Sequence, residues 1–280
     1  MRLSNFHTHS YFCDSAGRPE EYIQKAIDLG FEAIGFSGHA PTHFDCPWNI
    51  QKERLGEYCS VINMLKMKYK NIIEVYLGLE IDYFSKEYGP GADEFKCLGL
   101  DYKIGSIHFM KDKKSDDYLA IDGSEDEYVK IINNNFNGNV RDFVTCYYDM
   151  IRNMVNEHEP DIIGHIDLIK KNNKDSKYFS ENEKWYKEEV LNILTVIAKS
   201  NSILEVNTGG ISRKYIKELY PSEWILKECR MLNIPLVLSS DAHSKENLNF
   251  YFKESVEILR DCGYNKLYSI KNSIWESSIL

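Results

Sequence analysis

The sequence predicts an α/β protein whose parallel strands form a barrel or an open sheet, with polar chemistry gathered at the C-terminal strand ends. Two observations predict it. Seven short apolar runs each stop at, or within a few residues of, a histidine, a carboxylate or an amide. Stretches of helical periodicity separate those runs. Strands that release polar groups from one end describe the rim of such a fold, and the βαβα order implies parallel strands joined by right-handed crossovers.

In chain order, Leu3–Phe6 runs into His7 and His9. A helix over Arg18–Leu29 opens on Pro19 and two acids and closes at Gly30, a good start and stop. Ala33–Ser37 runs into His39, and Gln51–Tyr69 carries Leu55, Cys59, Ile62 and Leu65–Met67 at helical spacing. Ile72–Leu79 meets Glu80, and Tyr102–Ile107 meets His108. Helices over Arg141–Glu157, Glu181–Lys199 and Ser222–Leu232 lead to Ile162–Gly164 with His165, Ile203–Val206 with Asn207, and Leu236–Ser240 with Asp241 and His243. Lys245–Cys262 reads as a last helix and Leu267–Ile270 as a candidate eighth strand. Met110–Val140 and Lys170–Ser180 are polar and read as loops, the first long enough to be functional. The strand-plus-ligand pattern resumes after each, so the chain reads as one domain over residues 1–280.

The 280 residues are 43% hydrophobic and 28% charged, which suits a globular protein with a sizeable core. A net charge of −9 without a basic tail or arginine-rich stripe weighs against a nucleic-acid partner. It does not weigh against a small phosphorylated substrate, because bound cations invert the local field. No apolar run approaches the roughly 20 residues of a membrane span. Seven scattered cysteines without a CxxC, and a first strand that starts at once, predict a reduced, cytoplasmic setting.

Six of the eight histidines lie at the strand ends. In His7-Thr8-His9 and in Asp241-Ala242-His243 the paired residues are two apart, so an extended backbone turns them to the same side. With Asp14, His39, Glu80, His108 and His165 the candidate metal ligands number nine. One zinc or manganese needs three or four protein ligands and an open position. Nine residues therefore predict two or three ions with a bridging carboxylate. Such sites fit phosphate-ester hydrolysis, in which two ions clamp the ester oxygens and acidify a bridging water that attacks phosphorus. Zn, Mn and Fe all suit this donor set.

HTHS, GFSGHAPT, GLEIDY, GSIHF, GHIDL and SSDAH, in this order, resemble the motifs of the polymerase-and-histidinol-phosphatase (PHP) superfamily. With the loop carrying IDGSEDEY, the set is similar to its histidinol-phosphate phosphatase branch. The resemblance spans His7 to about Ser244. It implies a distorted seven-stranded, TIM-barrel-like (β/α) barrel with three ions on the C-terminal rim. By that analogy His7, His9, Glu80 and Asp241 hold the first ion. Glu80, His108 and His165 hold the second. His39, His243 and a residue after the HxH motif hold the third. Many relatives place a histidine six residues after the second His, where this chain has Ser15; Asp14 is the natural substitute.

Arg213, just past the sixth strand end, is a candidate phosphate ligand because its fork matches phosphate oxygens. His43 and Asn207 are candidate substrate contacts, Glu205 reads as structural, and Lys170 and Lys171 read as a solvated pair. A helix-end dipole contact accounts for His158. The reading that results is a phosphoric monoester hydrolase converting L-histidinol phosphate to L-histidinol and phosphate. Glu80, Asp241 and His243 carry its chemistry, with Asp241 or His243 supplying the leaving-group proton. Its competitors are a nucleotide 3′-phosphatase or 3′–5′ exonuclease of the same superfamily, an amidohydrolase, and a non-catalytic metal-binding protein. The sequence contains no reading of oligomeric state.

Overall fold

The strands of the computed structural model, which describes residues 2–280, follow the apolar runs. They are β1 (Ser4–Asn5), β2 (Ala33–Phe36), β3 (Glu74–Asp82), β4 (Tyr102–Ser106), β5 (Phe109–Lys111), β6 (Tyr118–Ala120), β7 (Ile162–Ile163), β8 (Ile203–Asn207), β9 (Leu236–Ser239), β10 (Lys266–Lys271) and β11 (Ile274–Ile279). The helices are α1 (Pro19–Asp28), α2 (Leu55–Tyr69), α3 (Asp93–Lys96), α4 (Glu125–Phe136), α5 (Val140–His158), α6 (Lys184–Ile197), α7 (Gly209–Ser212), α8 (Glu223–Met231) and α9 (Phe252–Asp261). Seven strands pair in the order β1-β2-β3-β4-β7-β8-β9, every neighbour parallel.

The sheet curls until β9 meets β1, but no ladder joins those two strands. One parallel bridge, Thr8 to Ala242, spans the seam, with backbone bonds His9 N to Ala242 O at 2.9 Å and Ala242 N to His7 O at 3.1 Å. Asn5 supplies the rest. Its Nδ2 donates to Ser240 Oγ at 2.6 Å, and its Oδ1 accepts from Ser240 N at 3.3 Å and His7 N at 3.1 Å. A fully buried asparagine thus does with its side chain what a strand pair does with backbone.

Inside the barrel lie Phe6, Ala33, Tyr76, Tyr102, Ile104, Ile162, Ile203 and Val237. Tyr102 donates to Phe6 O at 2.5 Å across this interior. Gly78 faces the ring so closely that an added Cβ would lie 2.5 Å from it. Ile270, with Tyr268 and Trp275, packs against the same cluster from the β10–β11 hairpin. Leu267–Ile270 is therefore not an eighth barrel strand: among the described residues β10 pairs only with β11, antiparallel, and the hairpin packs against the barrel's interior core.

The long segment after β4 also departs from expectation. Met110–Val140 contains the antiparallel β5–β6 hairpin and a full helix, α4. Ser124 and Glu127 form a reciprocal capping box at its start, and Tyr128, Ile131, Ile132 and Asn135 bury one face at helical spacing. The exposed acids and asparagines on the other face disguised it as a loop. Lys245–Cys262 is likewise broken: Tyr251 takes a φ of 62° just before α9. Among the described residues no helix is long and apolar enough to cross a membrane.

Candidate metal centre and active site

All nine predicted ligands converge at the C-terminal strand ends. The His7–Thr8–His9 strand end presents both imidazoles to one side, and the seam bridge brings Asp241 opposite them. His7 Nε2 lies 3.2 Å from Glu80 Oε2 and 3.7 Å from Asp241 Oδ1. His9 Nε2 lies 3.2 Å from Asp241 Oδ1 and 3.6 Å from Glu80 Oε2. The other oxygen of Glu80 faces His165 Nε2 at 3.0 Å and His108 Nε2 at 3.5 Å. One carboxylate on β3 therefore touches two groups of imidazoles, as a bridging ligand must.

Asp14, His39 and His243, with His9, offer donor atoms within 4.8 Å of one another. Asp14 Oδ2 is 2.8 Å from His243 Nε2 and 3.7 Å from His39 Nε2. Ser15 is turned elsewhere, its Oγ bonded to the His243 carbonyl at 2.8 Å and to Tyr22. His39 is shared, since its Nδ1 sits 3.0 Å from Glu80 Oε2, and His39, Glu80 and His108 form a further group of donors.

These donors lack the partners that buried polar atoms normally have. His7 Nε2, His9 Nε2, His39 Nδ1 and Glu80 Oε2 are buried and make no hydrogen bond. Each such orphan costs about 1–3 kcal/mol, so several facing one another mark the position of cations. Burial, with His243 and His39 nearby, pushes His9 down to about 3, so its ring is neutral and fit to ligate. Burial alone would lower His108 as well, but Asp82 and Glu80 hold it up at about 9. Glu80 stays far below the usual carboxylate range despite its burial, because His7, His108 and His39 surround it.

An outer layer aims the rings. Glu205 Oε1 accepts from His7 Nδ1 at 2.7 Å, which leaves Nε2 toward the centre. Its Oε2 accepts from His165 N at 3.0 Å and Asn207 Nδ2 at 2.9 Å. Asp82 accepts from His108 N at 2.8 Å and Nδ1 at 3.1 Å, and Ser106 Oγ donates to Glu80 Oε1 at 2.7 Å. Sequence reasoning missed Asp82, although it stands two residues after Glu80 on β3 and so shares its side.

A cavity of about 1080 Å³ opens over the cluster. Arg213 lines it, donating from Nη2 to Asp241 Oδ2 at 2.6 Å and from Nη1 to His243 Nδ1 at 2.7 Å. Although burial opposes ionisation, Arg213 and His7 hold Asp241 well below the usual carboxylate range. Gly209 makes this fit: a Cβ there would lie 2.8 Å from Asp241 Oδ2 and 2.9 Å from Arg213 Nη2.

Two candidate substrate contacts stand apart. Asn207 is fully buried, its Nδ2 on Glu205 and its Oδ1 accepting from Gly209 N at 2.7 Å, so it positions the site from behind. His43 lies among Phe44, Phe84, Tyr88 and Tyr118 and lines a separate pocket of about 480 Å³; its aromatic neighbours draw it away from the cluster of candidate ligands. The lysines are not a solvated pair. Lys170 is buried against Asp167, Ser222 and Leu219 O, and Lys171 meets Asp122. His158 ties down a loop, its Nδ1 accepting from Gly91 N and its Nε2 donating to Ser85 O, both at 3.0 Å.

Residues 5–209 match the model of the PHP domain family. A Deinococcus radiodurans protein named a probable histidinol-phosphatase is 32% identical over 93% of this chain and 94% of its own. A histidinol-phosphatase of Bacillus subtilis is 27% identical over 92% and 99%. In fold, the chain is similar to a Lactococcus lactis histidinol phosphate phosphatase solved with Zn, L-histidinol and phosphate. The TM-score is 0.71 at 20% identity, covering 98% of this chain and 99% of that one.

Proposed function

The chain belongs to the PHP family, and from that membership we propose that it is a metal-dependent phosphomonoesterase hydrolysing L-histidinol phosphate to L-histidinol and phosphate. The observation that carries the chemistry is the convergence of partnerless donor atoms of His7, His9, His39 and Glu80, of which His39 and Glu80 line, with Arg213, one cavity. The names of the relatives, at near-complete coverage, support the substrate. Two or three ions of Zn, Mn or Fe suit the donors. His7, His9, Glu80 and Asp241 would hold one, Glu80, His108 and His165 another, and Asp14, His39 and His243 a third. Bound there, such ions supply Lewis acidity at the phosphoryl oxygens and a water acidic enough to attack near neutral pH.

The chain's own residues do the rest. Arg213 carries a fixed positive charge beside the cluster; its Nη1 is taken by His243 and the Asp241 carbonyl and its Nη2 donates once to Asp241, which leaves one Nη2 hydrogen for a phosphate oxygen. Asp241, kept ionised by Arg213, serves as ligand and acceptor rather than proton donor. His243 lines the cavity with Arg213 donating to its Nδ1 and Asp14 facing its Nε2, so that when Nε2 ligates an ion no N–H remains on the ring and it serves, like Asp241, as ligand rather than proton donor. Glu205 and Asp82 keep His7 and His108 in the tautomer that frees Nε2. Seven free thiols fit a cytoplasmic enzyme.

The test is turnover of histidinol phosphate by metal-reconstituted protein, set against nucleoside 3′,5′-bisphosphates. Glu80→Ala is expected to abolish turnover while the far-ultraviolet circular dichroism stays native. Full activity in that variant would refute the bridging role.

A further inference from the structure

Resting on the substrate reading above, the geometry points to a recognition wall for the leaving-group half of the substrate, with Asp122 accepting its ammonium and Trp48 stacking on its ring. L-histidinol phosphate carries its amine on the carbon next to the one bearing the ester oxygen, and its imidazole one carbon further on. The group that binds the ammonium must therefore sit beside the metal face, and the ring platform must adjoin it.

Asp122 meets the first requirement. Ile121 N donates to His108 O at 2.7 Å, continuing the β5–β6 pairing in which Phe109 faces Ala120. That bond sets Asp122 next to His108, a proposed metal ligand, and both line the cavity. Lys171 Nζ holds Asp122 Oδ2 at 3.1 Å and lies over the Tyr215 ring at 4.3 Å. Oδ1 makes no hydrogen bond among the described residues. A carboxylate offers about four acceptor positions, so one lysine leaves room for a second cation.

Of the cavity's other carboxylates, Asp14, Glu80 and Asp241 face imidazoles or Arg213, Glu218 meets Lys170, and Glu181 takes the Trp224 and Ser222 donors; Asp175 is exposed on the Lys174–Ser176 turn, not bonded next to a proposed metal ligand as Asp122 is.

Trp48 meets the second requirement. It lies between the His39 strand end and α2, half-buried, and lines the same cavity as His39 and His108. Its ring stacks on Phe109 with centroids 5.4 Å apart and planes 13° from parallel. Phe109 opens the hairpin whose far end leads into Asp122. One short hairpin thus braces the aromatic platform and delivers the carboxylate.

Four phosphomonoesters separate the two contacts: histidinol phosphate, its deamino analogue, phosphoethanolamine and ethyl phosphate. Each is assayed with metal-reconstituted wild type, Asp122→Asn and Trp48→Ala. Ratios of kcat/KM between substrates within one variant do not depend on how much of it folds. For Asp122→Asn the ratio of histidinol phosphate to its deamino analogue, and of phosphoethanolamine to ethyl phosphate, is expected to fall about 10–100-fold. For Trp48→Ala the ratio of deamino analogue to ethyl phosphate is expected to fall about 3–10-fold. Ratios equal to those of wild type overturn the inference, since the residues would then act on all substrates alike. Wild type that turns over ethyl phosphate as well as histidinol phosphate overturns the substrate reading itself, and is told apart because it needs no variant.

Discussion

Glu205→Gln is the sharpest probe of how the centre is held. Glu205 is fully buried and all three of its partners are donors: His7 Nδ1, His165 N and Asn207 Nδ2. The Asn207 amide cannot turn over to help, because its Oδ1 accepts from Gly209 N. Glutamine has one acceptor oxygen and an amide that must face a donor on the other side. If the amide faces His7, that ring must accept at Nδ1 and carry its proton on Nε2, where the ion belongs. If it faces His165 N and Asn207, two buried donors lose their partner. Either outcome costs about 1–3 kcal/mol, and the loss of an outer carboxylate partner generally weakens a metal site about 10–100-fold. Competition with a fluorescent chelator should report that loss of affinity, with activity recovering as metal is added in excess. Affinity within twofold of wild type would refute the claim that Glu205 fixes the His7 tautomer.

Metal binding should also release protons. His108 stands at about 9 in the metal-free site, since Asp82 and Glu80 outweigh its burial, so at neutral pH its proton must leave before the ring can ligate. Apparent affinity therefore falls as pH drops, and calorimetric heats should vary with the ionisation enthalpy of the buffer; heats independent of buffer would contradict this. Inside the barrel, Gly78→Ala drives a methyl into the Tyr102 ring, an overpacking worth about 1–3 kcal/mol. A thermal melt should show a Tm several degrees lower, and an unchanged Tm would mean that the Tyr102 ring has room to move.

The metal ligands were legible because a strand end fixes both position and side. His7 with His9, and Asp241 with His243, announce a shared face by spacing alone, and Glu80 and His108 join them from the ends of neighbouring strands. What spacing does not encode is which partner lies across the barrel. Glu205 reads as an ordinary strand residue until His7 is placed 2.7 Å away, 198 positions earlier in the chain. Composition misled in the segment after β4, where the exposed face of α4 supplies most of the residues and its buried stripe is narrow. It misled at Lys170 too, since lysine is rarely buried and only the fold supplies Asp167 and Ser222 to receive it. His43 is the converse case: four residues from His39, it belongs to an aromatic pocket instead.

The open junction between β1 and β9 bears on how the molecule stays shut. His7 and His9 stand on one lip, Asp241 and His243 on the other, with a single backbone bridge and one asparagine between them. An ion gripping both lips is a clasp as well as a reagent. A ligand held only by the closed form adds roughly 2.7 kcal/mol at a hundredfold excess over its Kd. That gain falls where the barrel has the fewest bonds of its own. Starved of metal, the chain would loosen first along this line, giving up catalysis and closure together.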